Sequence, residues 1–173
     1  MVCGNAANSS GTIYNSPYAD EIYIGVVYPV ESIDENTYLR KGIELAVNGI
    51  NADGGVLGKT LQWIIRDDQN NTHLAMQIAN TFFEQGIAAV IGHWSTNICY
   101  FLTDIYEENK TVMLTLAATG MNLFENDYRY VYRMIANNQV FSEAIESIFP
   151  KPGCPVPPYF TATTNTAPTF PPF

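Results

Sequence analysis

The sequence predicts an α/β fold: a doubly wound parallel sheet with strand order 2-1-3-4-5. Short apolar, β-rich runs alternate along the chain with segments of helical period, the mark of consecutive βαβ units. Two of these runs, 88–91 and 111–116, each end in small or hydroxyl residues, at 92–96 and 115–119. One helix-length segment separates them. Both loops therefore fall at strand C-termini, the edge where open parallel sheets bind ligands. Ser95, Thr96 and Thr119 bring hydroxyls to that edge, and the intervening helix brings the free N–H groups of its first turn. The chain of 173 residues is long enough to bury one sizeable core.

Each element has its own justification. Residues 22–28, IYIGVVY, form the first strand, and 29–36 is a polar loop carrying Glu31, Asp34 and Glu35. Over 37–51, Leu39, Ile43, Ala46, Val47 and Ile50 recur at spacings of three and four, placing an apolar stripe on a helix with Thr37 as its cap. Asn51-Ala-Asp-Gly-Gly55 stops that helix. Residues 61–66, LQWIIR, are the second strand and 67–71 a polar turn. The next helix, 72–85, carries Leu74, Ala75, Ile78, Ala79, Phe82 and Phe83 on one side, and Gly86 closes it. The third strand, a helix over 96–108 and the fourth strand follow. An irregular stretch, 120–128, leads to a short fifth strand at 130–134. The last helix, 138–149, has Val140, Phe141, Ala144, Ile145 and Ile148 at helical spacing.

Charge excludes whole classes of partner. Seventeen acids against eight Lys and Arg give a net charge of −9. Nucleic acid and anionic membrane surfaces both call for clustered cations. No apolar run approaches the roughly 20 residues that span a bilayer. Cysteine is sparse (Cys3, Cys99 and Cys154), without a CxxC pair, and Cys99 is expected as a small core residue.

The remaining polar residues support no chemistry. GxSxG, HExxH and phosphate-loop patterns are missing. His93, Ser95 and Asp104 are triad residue types, yet Asp104 should lie about two helical turns away, too far to orient the histidine. His93 is read as hydrogen-bonded scaffold rather than a ligand contact, His73 as solvated, and Asp34 and Glu35 as a solvated loop pair. Asp67 and Asp68, without a third partner, are a weak metal signal. Gly54-Gly55-x-x-Gly58 follows a helix instead of preceding one, so it is no nucleotide loop. No catalytic residue, metal or cofactor is expected. A flavodoxin-like enzyme would need a phosphate loop after the first strand, and 29–36 does not look like one.

In combination, KGIELAVNGINADGGVLGKTL (41–61), DDQNNTHLAMQIAN (67–80), GIAAVIGHWST (86–96), DIYEENKTVML (104–114) and TLAATG (115–120) resemble the type I periplasmic binding proteins. The likeness is to the branched-chain amino-acid, amide and urea receptors of ABC transporters. It spans about 130 residues, 21–149, and corresponds to the first of that family's two α/β lobes. The resemblance implies reversible binding of a small molecule by lobe closure and hand-over to a membrane permease; the same fold also serves as the ligand-binding domain of sensory receptors. It implies an extracytoplasmic location. By position, Thr96 matches the hydroxyl residue after the third strand, and Ala117, Ala118 and Thr119 match a small-small-Thr turn after the fourth. The expected ligand-binding set is Trp94, Ser95, Thr96, Ala117, Ala118 and Thr119. Trp94 either covers the ligand's apolar part or fills the surface between lobes. The loop after the first strand is acidic and lacks the Gly- and Ser-rich form usual in relatives.

Both ends of the chain differ in character from its middle. Residues 1–20 read as a flexible leader, and Cys3-Gly-Asn followed by a polar tether resembles the start of a lipid-anchored mature protein. Residues 150–173 hold eight prolines in 24 positions and one charge, Lys151, so they are expected to be a non-globular tail. Read from the third base of each codon, 156–167 can encode an apolar strand followed by an Asp-x-x-Tyr-Gly-like turn, as a second lobe begins in relatives. The expectation is a frameshift near residue 150 and, for the chain as it stands, weak ligand binding and self-association through an uncovered face.

Overall fold

A computed structural model describes residues 20–33 and 38–148. The leader with Cys3, the loop positions Asp34, Glu35 and Thr37, and the proline-rich tail lie outside the described residues. Five strands, β1 (Glu21–Tyr28), β2 (Thr60–Asp67), β3 (Ala89–Ile91), β4 (Val112–Thr115) and β5 (Val131–Arg133), form one parallel sheet in the order β2-β1-β3-β4-β5. The helices are α1 (Val30–Ile33), α2 (Leu39–Ala52), α3 (Thr72–Glu84), α4 (Thr96–Glu108) and α5 (Asn138–Ile148). The strand order and the alternation of elements match the expectation from sequence. Three differences are local. The N-cap of α2 falls on Tyr38, which makes no side-chain capping bond, and not on Thr37 as expected, because the helix begins at Leu39. The loop after the first strand contains the single helical turn α1, and the stretch after β4 contains a 3-10 turn, Met121–Phe124.

Side-chain alternation along the strands divides the core in two. On one face Ile64, Gly25, Val90, Met113 and Val131 lie in one row across the sheet. Val90, Met113 and Val131 from this row are buried with Ala75, Ile78, Ala79 and Phe82 of α3 and Ile98, Cys99, Leu102 and Tyr106 of α4. Gly25 leaves room for the Phe82 ring, which a Cβ there would strike. On the other face the corresponding row is Ile65, Val26, Ile91, Leu114 and Tyr132. Here α2 covers β1 and β2 with Ile43 and Val47. Cover thins away from α2: Val26 is 0% exposed and Tyr132 51%.

Side chains fix the helices to the sheet. The Asn51 amide bonds both the N–H and the C=O of Leu61, at 2.8 and 2.9 Å, tying the end of α2 to the start of β2. Asn71 caps α3, its Oδ1 accepting from Leu74 N–H at 3.1 Å. The Glu107 carboxylate accepts from the backbone N–H groups of Arg129 and Tyr130, so α4 sets the entry to β5. The apolar stripe of α5 is the exception. Val140 and Phe141 are exposed, and α5 adds no residue to either core among the described residues. Helical period identified the stripe correctly, but period does not say what covers it.

Candidate functional site

The C-terminal ends of β1, β3 and β4 meet where the strand order reverses, between β1 and β3. Gly92 makes that meeting close. Its φ is +144°, and a Cβ would collide with the Val27 carbonyl oxygen, so the chain leaves β3 hard against β1. Immediately beyond it His93 is fully buried. His93 Nδ1 lies 3.0 Å from Asp68 Oδ2, and Nε2 lies 3.3 Å from the Tyr106 hydroxyl. Its carbonyl oxygen accepts from Thr115 Oγ1 at 2.9 Å and from Cys99 Sγ at 3.2 Å. This histidine is scaffold. Burial pushes the Cys99 thiol up to about 11, against the pull of its hydrogen bonds to Thr115 and His93. Burial likewise holds the Tyr106 phenol well above its usual range.

The six residues expected to meet a ligand lie on two adjoining loops. Ser95 is the N-cap of α4, and its side chain makes no capping hydrogen bond. The first N–H groups of the helix, from Thr96 on, have no acceptor within it. Thr96 Oγ1 accepts from Gly120 N–H at 3.2 Å, joining the loop after β3 to the turn after β4. Within that turn, Ala118 is fully buried and its N–H donates to Thr115 Oγ1 at 3.3 Å. Ala117 and Thr119 are half-buried around it, and the Thr119 carbonyl accepts from Asn138 N–H at 2.9 Å. Trp94 is half-buried and packs against the α2-side core. With Tyr28, Leu39, Gly92, His93 and Leu116 it lines a crevice of about 10 Å³. That volume suits a water, far below the roughly 300 Å³ at which small-molecule pockets begin. The edge is an open shelf.

A larger hollow, about 310 Å³, lies at the opposite, N-terminal edge between Glu21, Ile22, Tyr23, Leu57, Lys59, Gly86 and Ala88. It has the volume of a pocket without converging polar groups. Its one carboxylate, Glu21, already accepts from Tyr23 and Gln62.

Triad residue types are not brought together. Asp104 accepts from the Tyr128 hydroxyl at 2.9 Å, while His93 faces Asp68 and Tyr106. Asp67 and Asp68 are engaged with protein donors: Asp67 with the N–H groups of Val30 and Gln69, Asp68 with Asn70 N–H and His93. His73 is exposed, 3.3 Å from Gln77. Sequence reasoning missed Arg133. Its guanidinium donates to the Gly120 carbonyl at 2.7 Å and lies 4.9 Å from the centre of the Phe124 ring, holding the far end of the shelf. A lone cation at the end of the last strand was the available signal.

Comparison with known proteins places this geometry. The periplasmic binding protein family model matches residues 21–150. The leucine-, isoleucine-, valine-, threonine-, and alanine-binding protein of Pseudomonas aeruginosa is 32% identical over 119 residues, 68% of this chain and 32% of its own. The Leu/Ile/Val-binding protein of Escherichia coli is 34% identical over 123 residues, 69% of this chain and 33% of its own. Among solved structures, an ABC transporter substrate-binding protein of Desulfitobacterium hafniense in complex with Leu superposes with a TM-score of 0.70 at 35% identity, covering 75% of this chain and 38% of that one. The chain thus spans about a third of the length of the curated relatives it matches. A family match over residues 21–150, together with a five-stranded sheet in this order, identifies the chain as a member of the periplasmic binding protein family.

Proposed function

We propose that the shelf formed by Trp94, Ser95, Thr96, Ala117, Ala118 and Thr119 is one half of an amino-acid site in an extracytoplasmic receptor of an ABC transporter. The observation that carries this reading is the pairing of the open N-terminus of α4, beneath Ser95 and Thr96, with the turn after β4. Helix N–H groups and hydroxyl donors suit a carboxylate. Ala117 and Thr119 let a ligand approach the turn, and buried Ala118 is its floor. Trp94 supplies an apolar wall. Relatives named for leucine, isoleucine and valine favour an aliphatic amino acid. The division into a lobe at 21–149, with a leader and tail outside it, belongs to this proposal, as do the permease partner and a lipid anchor at Cys3.

An open shelf holds such a ligand weakly. Two or three charge-assisted hydrogen bonds contribute about 4–8 kcal/mol, and half-burial of a leucine side chain about 1 kcal/mol. Lost translational and rotational freedom costs roughly 4–15 kcal/mol. Even at the low end of that cost the net is no better than about −5 kcal/mol, so roughly millimolar affinity at best is expected for this chain. The test is an NMR titration of the ¹⁵N-labelled chain with leucine up to tens of millimolar. Shifts should concentrate at the amides of 94–96 and 117–119. An unmoved spectrum at those positions refutes the site, and micromolar affinity by calorimetry refutes the half-site energetics.

A further inference from the structure

The adjacent acids Asp67 and Asp68 at the end of β2 touch none of the proposed ligand contacts, yet Asp68 reaches the loop after β3 that carries part of the shelf, while Asp67 holds the neighbouring loop after β1. Asp67 Oδ1 accepts from Val30 N–H at 3.1 Å, just past the end of β1. Asp68 faces the other way, to His93 beyond the end of β3. In the sheet β2 neighbours β1 alone, with β1 lying between β2 and β3. The Asp68–His93 pair therefore links two strands that share no backbone hydrogen bonds, across the point where the strand order reverses.

We propose that Asp68 is a positioning residue that braces the shelf loop after β3 through His93, while its neighbour Asp67 separately ties down the loop after β1. Asp68 and His93 are both 0% exposed, so neither exchanges its partner for water without moving. Asp68 is itself fixed: Oδ1 accepts from Asn70 N–H at 3.0 Å and its carbonyl from Asn71 N–H at 2.7 Å. His93 is held at both ends, by Asp68 and Tyr106 on the ring and by Thr115 and Cys99 on the carbonyl. The next residue is Trp94. A ring that loses Asp68 has a buried Nδ1–H without an acceptor, and its cheapest relief is to swing outward and carry Trp94 with it. Thr115 completes the joint. Its hydroxyl donates to His93 and accepts from Ala118 N–H, so both shelf loops are registered on one carbonyl.

This inference rests on the reading of 94–96 as ligand contacts, but its test needs no ligand. The 173-residue chain has two tryptophans, so W63F leaves Trp94 as the sole tryptophan, excited apart from the 11 tyrosines at the red edge. In that background D68A should raise the acrylamide quenching constant of Trp94 about threefold with the far-UV spectrum unchanged. D68N can keep its one oxygen toward His93 Nδ1–H only by turning its NH2 onto the Asn70 N–H, so it should lower quenching towards the parent value without fully restoring it. D67A should leave Trp94 quenching alone and accelerate exchange of the Val30 amide about tenfold. If D68A does not fold, T115V reads the same joint from its other side, with faster exchange at Ala118 and a raised Trp94 quenching constant. Parent-level quenching in folded D68A, or in T115V where D68A is unfolded, overturns the brace, even if the variant melts earlier. Leucine titrations of the parent that leave 94–96 unmoved would refute the ligand reading and leave the brace standing.

Discussion

Replacing Gly92 by Ala probes the closest backbone approach in the protein's candidate site, and its cost can be worked from the structure. The residue sits at φ +144°, where an L side chain is strained by about 1–3 kcal/mol. The added methyl also meets the Val27 carbonyl oxygen, which belongs to the interior strand β1 and is held by its pairing to β2. Overpacking of this kind costs about 1–3 kcal/mol more. The expected loss is about 2–6 kcal/mol, a large part of the 5–15 kcal/mol typical of a domain. Two further glycines separate the contributions. Gly58 has φ +75° and open space around its Cβ position, so G58A measures backbone strain alone. At Gly25 the φ is ordinary, but a methyl would strike the fully buried Phe82 ring, so G25A measures collision alone. Urea unfolding of the full chain, followed by circular dichroism, should rank the losses G58A below G25A below G92A at unchanged slope. A G92A loss within 1 kcal/mol of G58A would refute the claim that close packing of β3 on β1 shapes the shelf.

Cys99 ionises near 9.0 in an unfolded chain and is pushed up to about 11 in the folded one. The folded state therefore holds its proton more tightly, and the stability linked to Cys99 is fully present below pH 9 and lost as pH rises towards about 11. Two units correspond to about 2–3 kcal/mol; C99A should flatten this part of the profile, and equal slopes in parent and C99A between pH 9 and 11 would contradict it. R133M removes the 2.7 Å bond to Gly120 and the stacking on Phe124. It should cost about 2 kcal/mol in urea unfolding, with R133K recovering only part; a loss below 0.5 kcal/mol would show that Arg133 does not hold the far end of the shelf.

The fold was legible because its signals are local and repeated. Two helices bury residues of the stripes that their periods mark, Ile43 and Val47 on α2 and Ala75, Ile78, Ala79 and Phe82 on α3, and Cys99 on α4 is the buried core residue expected of it. Asn71 and Gly86 punctuate α3 where turn chemistry places them. What could not be read is degree of cover. Ala46 and Ile50 belong to the predicted α2 stripe yet are exposed, because the helix meets the sheet over a narrower band than its apolar arc. The α5 stripe is the same problem carried further: an amphipathic pattern records that a helix has a partner surface, not which surface.

At the candidate site the hydroxyl residues were legible but not their partners. Counting donors along 93–96 and 115–119 suggests a surface rich in free hydroxyls. In the folded chain part of that supply is already spent. Thr115 is bound to His93 and Ala118, and Thr96 accepts from Gly120. The spent groups hold the loops on which Ser95 and the start of α4 are carried, since His93, directly before them in the chain, is tied to both Thr115 and Cys99. That division follows from which partners lie within about 3 Å after folding, and the partners are distant in sequence: Asp68 is 25 residues from His93, and Thr115 is 22. No local pattern carries such pairings. The buried polar residues of this edge are therefore better read as one hydrogen-bonded frame than as separate candidates for ligand contact. In a frame of this kind the most damaging substitutions should lie one layer beneath the shelf, at Asp68, Gly92 and Thr115, rather than on its surface.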